Sequence, residues 1–593
     1  MSPTSPLDPQ LRRRALLSGG IVGLFFFLLY LWSLAPALPP GYDSAELIAA
    51  CAAGGIAHPP GYPLYTLLGW GLCSLHLWDP AYTMNLFSAL CGAGSCALVA
   101  APSVLGGLGI VASLAGASLY GLALTPWRMA MGAEVFAFHL FLVALFNLVA
   151  FLWYLEPAKR RGYGLALAFL LGLALSHHQT IILLLPGLGL LFYLERSKGL
   201  GLSWWQAGAF LGGLLPYLWL PLRARVLEGR PLGEGWAMNW GNPSDWEGFY
   251  WVISRSGYGT LQLSTQGGAE IDCLASLGGW LLSWGWSQFF IVGALLALVG
   301  LSSGLNKARP WTLYLLSLLI LAGPIWSLWA AQPQAPGFGE MLERFYATSY
   351  LASAYFIAWG WQRLFNKLSK AKKSYSLALE SLCLFSLGIG VLFYNYPAAS
   401  ERGAYLVNDT LRSMAAQIPD KALVLAQNDA TCGGLIYAQA VEGRRFLLVP
   451  VGVAHSPWFI ESLPPQEGAI LAHEGLAGLA NWAASQGRDV YFDVQRTALS
   501  CALASKDTPR YVLREGLLYR YLRPGEEELL APGGQELYLQ RESARLQRFQ
   551  TDYHPIPWNK DPIRRPFWEK FYLSQWKQLF LDFQTDIPSR VDA

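Results

Sequence analysis

Charge is scarce in this chain of 593 residues: Asp, Glu, Lys and Arg together make up 14% of it, and the net charge is only +3. The basic residues stand in short clusters between apolar blocks, so there is no continuous cationic face, and nucleic acid is not expected as a partner. Cysteine is also sparse. Eight are present with no CxxC pair, which argues against a zinc or redox framework and for isolated buried thiols. Neither a P-loop nor an HExxH sequence occurs, so nothing points to nucleotide hydrolysis or to zinc peptidase chemistry.

What abounds is apolar surface. Hydrophobic residues make up 53% of the chain, more than a soluble protein of this size can bury. They come in blocks of about 20, the length a helix needs to cross a hydrocarbon core about 30 Å thick. Read with their breakers, the blocks predict eleven spans, near 15–34, 82–101, 104–124, 133–155, 162–177, 179–194, 203–221, 277–301, 310–330, 346–364 and 376–395. The first follows Arg12-Arg13-Arg14, is too long for a signal-peptide core and lacks a small-residue cleavage motif, so a retained span with a cytoplasmic N-terminus is expected. Lys159-Arg160-Arg161, Arg196 with Lys198, Lys307 with Arg309, and Arg363 through Lys373 then fall on the same side as the N-terminal arginines, as the positive-inside rule requires.

An odd number of spans places everything after Tyr394 on the opposite, extracytoplasmic side. The expected organisation is an α-helical polytopic membrane domain over 1–395 and a soluble α/β domain over 396–593. The membrane domain carries a first outer loop at 35–81 and a Trp-rich outer loop at 222–276. In the soluble domain Ala422–Ala426, Phe446–Val451 and Val490–Val494 read as strands, and Tyr511–Leu513 with Leu517–Leu522 as a hairpin around Glu515-Gly516. Cys432 and Cys501 both lie there, and whether they pair is open.

Between Ala15 and Leu155 the only charged side chains are Asp43, Glu46, Asp79, Arg128 and Glu134, and ionisable groups that rare beside a membrane are candidates for function. Asp43 and Glu46 open a short helix in which Asp43 or Ser44 can cap the N-terminus, and their i, i+3 spacing puts both on one face. His58-Pro-Pro-Gly-Tyr-Pro63 follows as a rigid turn, since three prolines in five residues cannot continue a helix. Tyr62 to Trp78 reads as an interfacial helix. Glu134 stands at the outer start of the fourth span, where a plain helix cap explains it equally well. His177 and His178 lie where the fifth and sixth spans meet. A paired His raises metal binding, but no second ligand cluster has suitable spacing, so no metal or other cofactor is expected. Trp236, Trp240, Trp246 and Trp251, with Asn239, Asn242, Asp245 and Arg255, could line a sugar or form an interfacial aromatic belt.

A carboxylate-bearing loop after the first span, followed by a His-Pro-Pro turn, resembles the first luminal loop of protein O-mannosyltransferases and other GT-C glycosyltransferases. Closer still is a mostly bacterial family of membrane proteins related to them. In that family segments read much like Asp43-Ser-Ala-Glu46, Ala57-His-Pro-Pro-Gly-Tyr-Pro-Leu-Tyr65, Glu134-Val-Phe-Ala-Phe, Leu175-Ser-His-His-Gln179, Asn239-Trp-Gly-Asn-Pro-Ser-Asp-Trp-Glu-Gly-Phe249 and Glu343-Arg-Phe345. The resemblance implies a GT-C-like enzyme of a bacterial inner membrane, with its C-terminal domain in the periplasm. It would move a sugar such as mannose from a polyprenyl-phosphate donor to a hydroxyl of a protein or glycan acceptor, with inversion.

An acceptor hydroxyl needs a base, and Asp43 is the expected one, with Glu46 orienting the acceptor or holding Asp43. A departing phosphate needs cationic or hydrogen-bonding donors; Arg344 is the first candidate, with Arg223, Arg225, His58, His177 and His178 as further ones. Glu134, Asn239, Trp240, Trp246 and Arg255 are the candidates for the sugar or acceptor. Two other classes stay open: a transporter or flippase of lipid-linked sugars, against which stands the lack of an inverted repeat of broken helices, and a non-catalytic scaffold displaying the C-terminal domain.

Overall fold

The computed structural model describes residues 7–41, 43–228, 239–259, 273–330, 338–371, 376–503, 511–523, 525–526, 534–554 and 567–584. Its first part is a helical bundle: α1 (Pro9–Ser33), α2 (Ser44–Ala53), α3 (Pro63–Cys73), α4 (Pro80–Leu105), α5 (Ile110–Gly121), α6 (Leu124–Met131), α7 (Val135–Leu155), α8 (Arg160–Leu175), α9 (Leu185–Glu195), α10 (Trp205–Gly213), α11 (Trp219–Leu227), α12 (Trp246–Ile253), α13 (Cys273–Leu282), α14 (Phe290–Lys307), α15 (Arg309–Ile320), α16 (Trp326–Trp329), α17 (Phe338–Ala371) and α18 (Ser376–Ala399).

A helical segment occupies each of the eleven expected spans, but they are not alike. Among the described residues seven helices are long and apolar enough to cross a bilayer, and the pair α5 and α6, bent by 64° at its break, makes an eighth. The chain is an integral membrane protein. The three expected spans that fall short do so for physical reasons. α8 has only 16 residues. The 203–221 span is broken into α10, a tight turn at Leu215–Leu218 and α11 by Pro216 and Pro221. α17 is long but sits in the middle of the bundle against α14, α5 and α15, with Ala347 to Ala358 buried. A helix covered by protein needs no continuous apolar surface, and Ser349 and Ser353 there accept from the indoles of Trp280 and Trp284.

Three of the five basic clusters meet at one end of the bundle. Arg12 and Lys159 both pair with Glu156, and the buried Arg160 pairs with Glu195 at 2.7 Å, so the ends of α1, α7, α8 and α9 lie together. At the other end Ala35 N donates to Met131 O, Leu64 N to Ser176 O and Glu401 N to Ser33 O, which gathers the first loop, α6 and the start of the C-terminal domain.

That domain holds a five-stranded sheet in the order β2-β1-β3-β5-β4, with β1 (Leu423–Ala426), β2 (Leu447–Pro450) and β3 (Val490–Phe492) parallel and the hairpin β4 (Val512–Glu515) and β5 (Leu518–Tyr521) antiparallel. Strands and hairpin fall where the apolar pattern puts them. β1 is buried on both faces, as expected of a central parallel strand. The domain opens on α19 (Leu406–Gln417); Cys432 and Cys501 are free thiols, on α20 (Asp429–Ala440) and the helix 495–503, so the disulfide left open by the sequence does not form.

Candidate active site

The first loop is held by its own helix and by partners far away in sequence. Asp43 precedes α2 but makes no side-chain capping bond, and Ser44 donates instead to Glu134 Oε1 at 3.3 Å. The capping role expected for this pair is therefore not taken up, and the Asp43 carboxylate points elsewhere: its Oδ2 lies 3.8 Å from Arg344 Nη1, and it remains 33% exposed. α2 ends at Gly54, in the left-handed region at φ +65. There Arg223 donates from Nε to Gly54 O at 2.6 Å and from Nη2 to Ala53 O at 3.1 Å, while stacking near Trp70 and Trp219. A β-carbon at Gly54 would sit 2.7 Å from that guanidinium.

Glu46 turns away from Asp43. Its carboxylate accepts from the His58 backbone at 2.8 Å and pairs with His58 Nδ1 at 2.9 Å, both side chains being mostly buried. Burial works against a charged imidazole at His58, but the Glu46 carboxylate outweighs it and raises the pKa to about 9. His58 is therefore a cation at neutral pH, and the ion pair clamps the His-Pro-Pro turn onto α2.

Arg344 lies beneath this loop over the Phe136 ring, with Nη1 3.4 Å from Glu134 Oε1 as well as near Asp43. Glu134 is 8% exposed; its Oε1 also receives the Asp43 amide at 3.4 Å, while its buried Oε2 accepts no hydrogen bond among the described residues. Burial holds the Glu134 carboxyl above the usual carboxylate range against the pull of Arg344, and the neighbouring Asp43 adds to the rise. Beside these residues opens a cleft lined in part by Ser44, Arg128, Glu134 and Arg344.

His178 stacks on Tyr62 and neighbours Phe136 and Phe345, so it faces the same group. Its Nδ1 is engaged with Thr180, and burial keeps the ring neutral. His177 does not reach the group: its Nε2 lies 2.9 Å from Val135 O and its ring packs on Tyr65, a structural placement. The second loop contributes unevenly. Asn239 pairs with Ile56 in an isolated bridge, and Trp240 lies 6.4 Å from the His58 ring and 5.4 Å from Trp458 of the C-terminal domain. Arg255 sits in the left-handed region at φ +56 over Tyr258, and its buried Nε has no hydrogen-bond partner among the described residues. Trp246, at 75% exposure, and Arg225, exposed at the end of α11, are not brought to Asp43, and Arg223 is engaged by α2 as above. Trp236 lies outside the described residues. Among the described residues no group of three or more His, Cys, Asp or Glu is placed to hold a metal ion.

One neighbour of the site comes from the C-terminal domain. α20 (Asp429–Ala440) of the C-terminal domain packs directly on α2, so closely that a β-carbon at Gly433 would lie 3.2 Å from Glu46 N. Asp429 at its start has its pKa raised to about 6, first by desolvation and then by the charge of Asp43. The turn before it is fixed by Asp493, which accepts from Gln427 N and Asn428 N. The only hint in the sequence is the position of Gln427–Thr431 just beyond a strand end, where parallel sheets place ligand-facing loops.

Residues 43–200 match the family model described as the N-terminal domain of Protein O-mannosyl-transferase TMEM260. The chain is 26% identical over 443 residues to Protein O-mannosyl-transferase TMEM260 of Mus musculus, covering 72% of this chain and 61% of that protein. It is 23% identical over 445 residues to the Dictyostelium discoideum protein of the same name, covering 68% and 53%. It thus spans less than two thirds of the length of either relative. Among solved structures it is similar to ArnT from Cupriavidus metallidurans bound to undecaprenyl phosphate, with 14% identity, a TM-score of 0.49 and coverage of 85% of this chain and 97% of that one. The apo state of the same protein matches at 12% identity, with the same TM-score and coverage. The segment shared with the family model holds Asp43, Glu46, His58 and Glu134, and the chain is an integral membrane protein similar to the protein O-mannosyl-transferases.

Proposed function

We propose that this protein is a membrane glycosyltransferase that moves a sugar, mannose by analogy with its relatives, from a polyprenyl-phosphate carrier to a hydroxyl of an acceptor protein or glycan. The observation that carries the reading is Asp43: a partly exposed carboxylate released from helix capping, 3.8 Å from Arg344 at the edge of a cleft. The acceptor oxygen attacks the anomeric carbon, its proton passes to Asp43, and the bond from that carbon to the phosphate oxygen breaks with inversion. The carrier leaves as a phosphate monoester, whose charge Arg344 is suited to receive. Glu46 acts at one remove, holding His58 and the turn against α2. The site would open on the outer face of a bacterial inner membrane, with the basic ends of α1, α7, α8 and α9 in the cytoplasm.

The test supplies radiolabelled polyprenyl-phosphate sugars to membranes holding wild-type or Asp43→Asn protein and follows label into protein and glycan. Asn keeps the size but lacks the basic oxygen, and a positioned base contributes about 10²- to 10⁴-fold. Transfer should fall by at least about 100-fold while the donor still binds. Equal incorporation by both proteins would remove Asp43 from the chemistry.

A further inference from the structure

The cleft beside Asp43 has an unusual lining for its position at a membrane surface. Two arginines, Arg128 and Arg344, face it together with three glutamates, Glu134, Glu343 and Glu401. A bare anion would meet three carboxylates and a bare cation two guanidinium groups, so neither suits the whole cleft. A ligand that carries both an anionic group and several hydroxyls suits it better, because arginine binds phosphate by its fork and a carboxylate accepts from hydroxyls.

The side chains are aimed by their neighbours. Arg128 Nε donates to Ala398 O at 2.9 Å, which fixes the plane of its guanidinium. Gln288 donates to Thr125 Oγ1, and Thr125 donates in turn to Glu343 Oε2 at 3.2 Å, which fixes that carboxylate. Glu134, with 8% of its surface exposed, keeps an Oε2 that accepts no hydrogen bond among the described residues, and a buried acceptor left unpaired is costly. A ligand hydroxyl would satisfy it.

We infer that this cleft is the site of a sugar phosphate, the headgroup of the lipid donor, with Arg128 joining Arg344 on the phosphate and Glu134 Oε2 taking a sugar hydroxyl. The inference rests on the glycosyltransferase reading and adds to it a second phosphate-binding arginine and a sugar contact. It places the headgroup on the Pro39–Gly41 side of Asp43, so that the base stands at the rim of the donor cleft.

Binding to the full chain in lipid nanodiscs tests it by calorimetry with three probes: a short-chain polyprenyl phosphate, its mannosyl ester, and mannose 1-phosphate. Arg128→Gln should weaken both lipids at least about tenfold, the worth of a charge-assisted contact. Arg128→Lys, which keeps charge and bulk, should lose several-fold and serves if the Gln variant does not fold. Glu134→Gln should weaken the mannosyl lipid and spare the sugar-free one, a split that a merely structural role would not produce. Binding of the mannosyl lipid without mannose 1-phosphate assigns the cleft to a lipid headgroup; binding of both assigns it to sugar phosphates generally. Wild-type affinity in both Arg128 variants, or equal loss of both lipids in Glu134→Gln, overturns the assignment. A wild-type protein that binds no mannosyl lipid would instead sink the glycosyltransferase reading itself.

Discussion

Replacing Glu46 with Gln should uncouple the His-Pro-Pro turn from the loop helix in a way that pH reveals. The wild-type carboxylate holds both the His58 amide at 2.8 Å and the imidazole at 2.9 Å, with both side chains about seven-eighths buried. His58 has its pKa raised from the model-compound 6.5 to about 9, which corresponds to about 3 kcal/mol between its charged and neutral forms. Because the folded-state value is the higher one, this stabilisation is fully present below about 6.5 and is lost as pH rises through about 9. Gln can still accept from the amide but cannot pair with the cation. The variant should therefore be weaker in this turn by about 1–3 kcal/mol near pH 6.5 and converge on the wild type above pH 9. Hydrogen-exchange protection of the Ala57, His58, Gly61 and Tyr62 amides, measured across this range and corrected for intrinsic rates, reads the difference directly. A wild-type-minus-variant difference that stays flat with pH would refute the ion pair as the clamp.

Arg223→Gln should remove the cation from the C-terminal carbonyls of α2 and lower thermal stability by about 1–2 kcal/mol, with affinity for a polyprenyl phosphate unchanged; a selective loss of lipid binding would return Arg223 to the phosphate site. Gly433→Val should force α20 off α2, since even one β-carbon comes within 3.2 Å of Glu46 N; limited proteolysis should then release the C-terminal domain faster, and an unchanged digest would show that the two helices can part without consequence. Reporter fusions after Lys307 should read cytoplasm and fusions after Ala404 the outside, while a cytoplasmic signal from the latter would break the eleven-span reading.

The first loop was legible because charge is so rare around it. Asp43, Glu46 and Glu134 stood out among five charged residues in 141, and Arg344 through its neighbours Glu343 and Phe345. Arg128 belonged to the same sparse set, yet nothing local tied it to a ligand until the cleft put it beside Arg344. Arg223 went the other way. An arginine just after a span reads as an interfacial phosphate ligand, and only the fold shows that its guanidinium is held by carbonyls some 170 residues earlier.

Apolar block length, proline breakers and the spacing of basic clusters determine where this chain is helical, which ends of the helices lie together and where a strand-forming domain begins, because each depends on the local cost of placing polar groups in lipid or of interrupting a helix. Those determinants act within a turn or a span. The divergence of Asp43 toward Arg344 and of Glu46 toward His58, the burial that lifts Glu134, and the seating of Asp429 over the loop depend on groups brought together from α2, α7, α17 and α20, between 12 and several hundred residues apart. Only tertiary packing decides them, because charge pairing and desolvation follow distance in space and not distance along the chain.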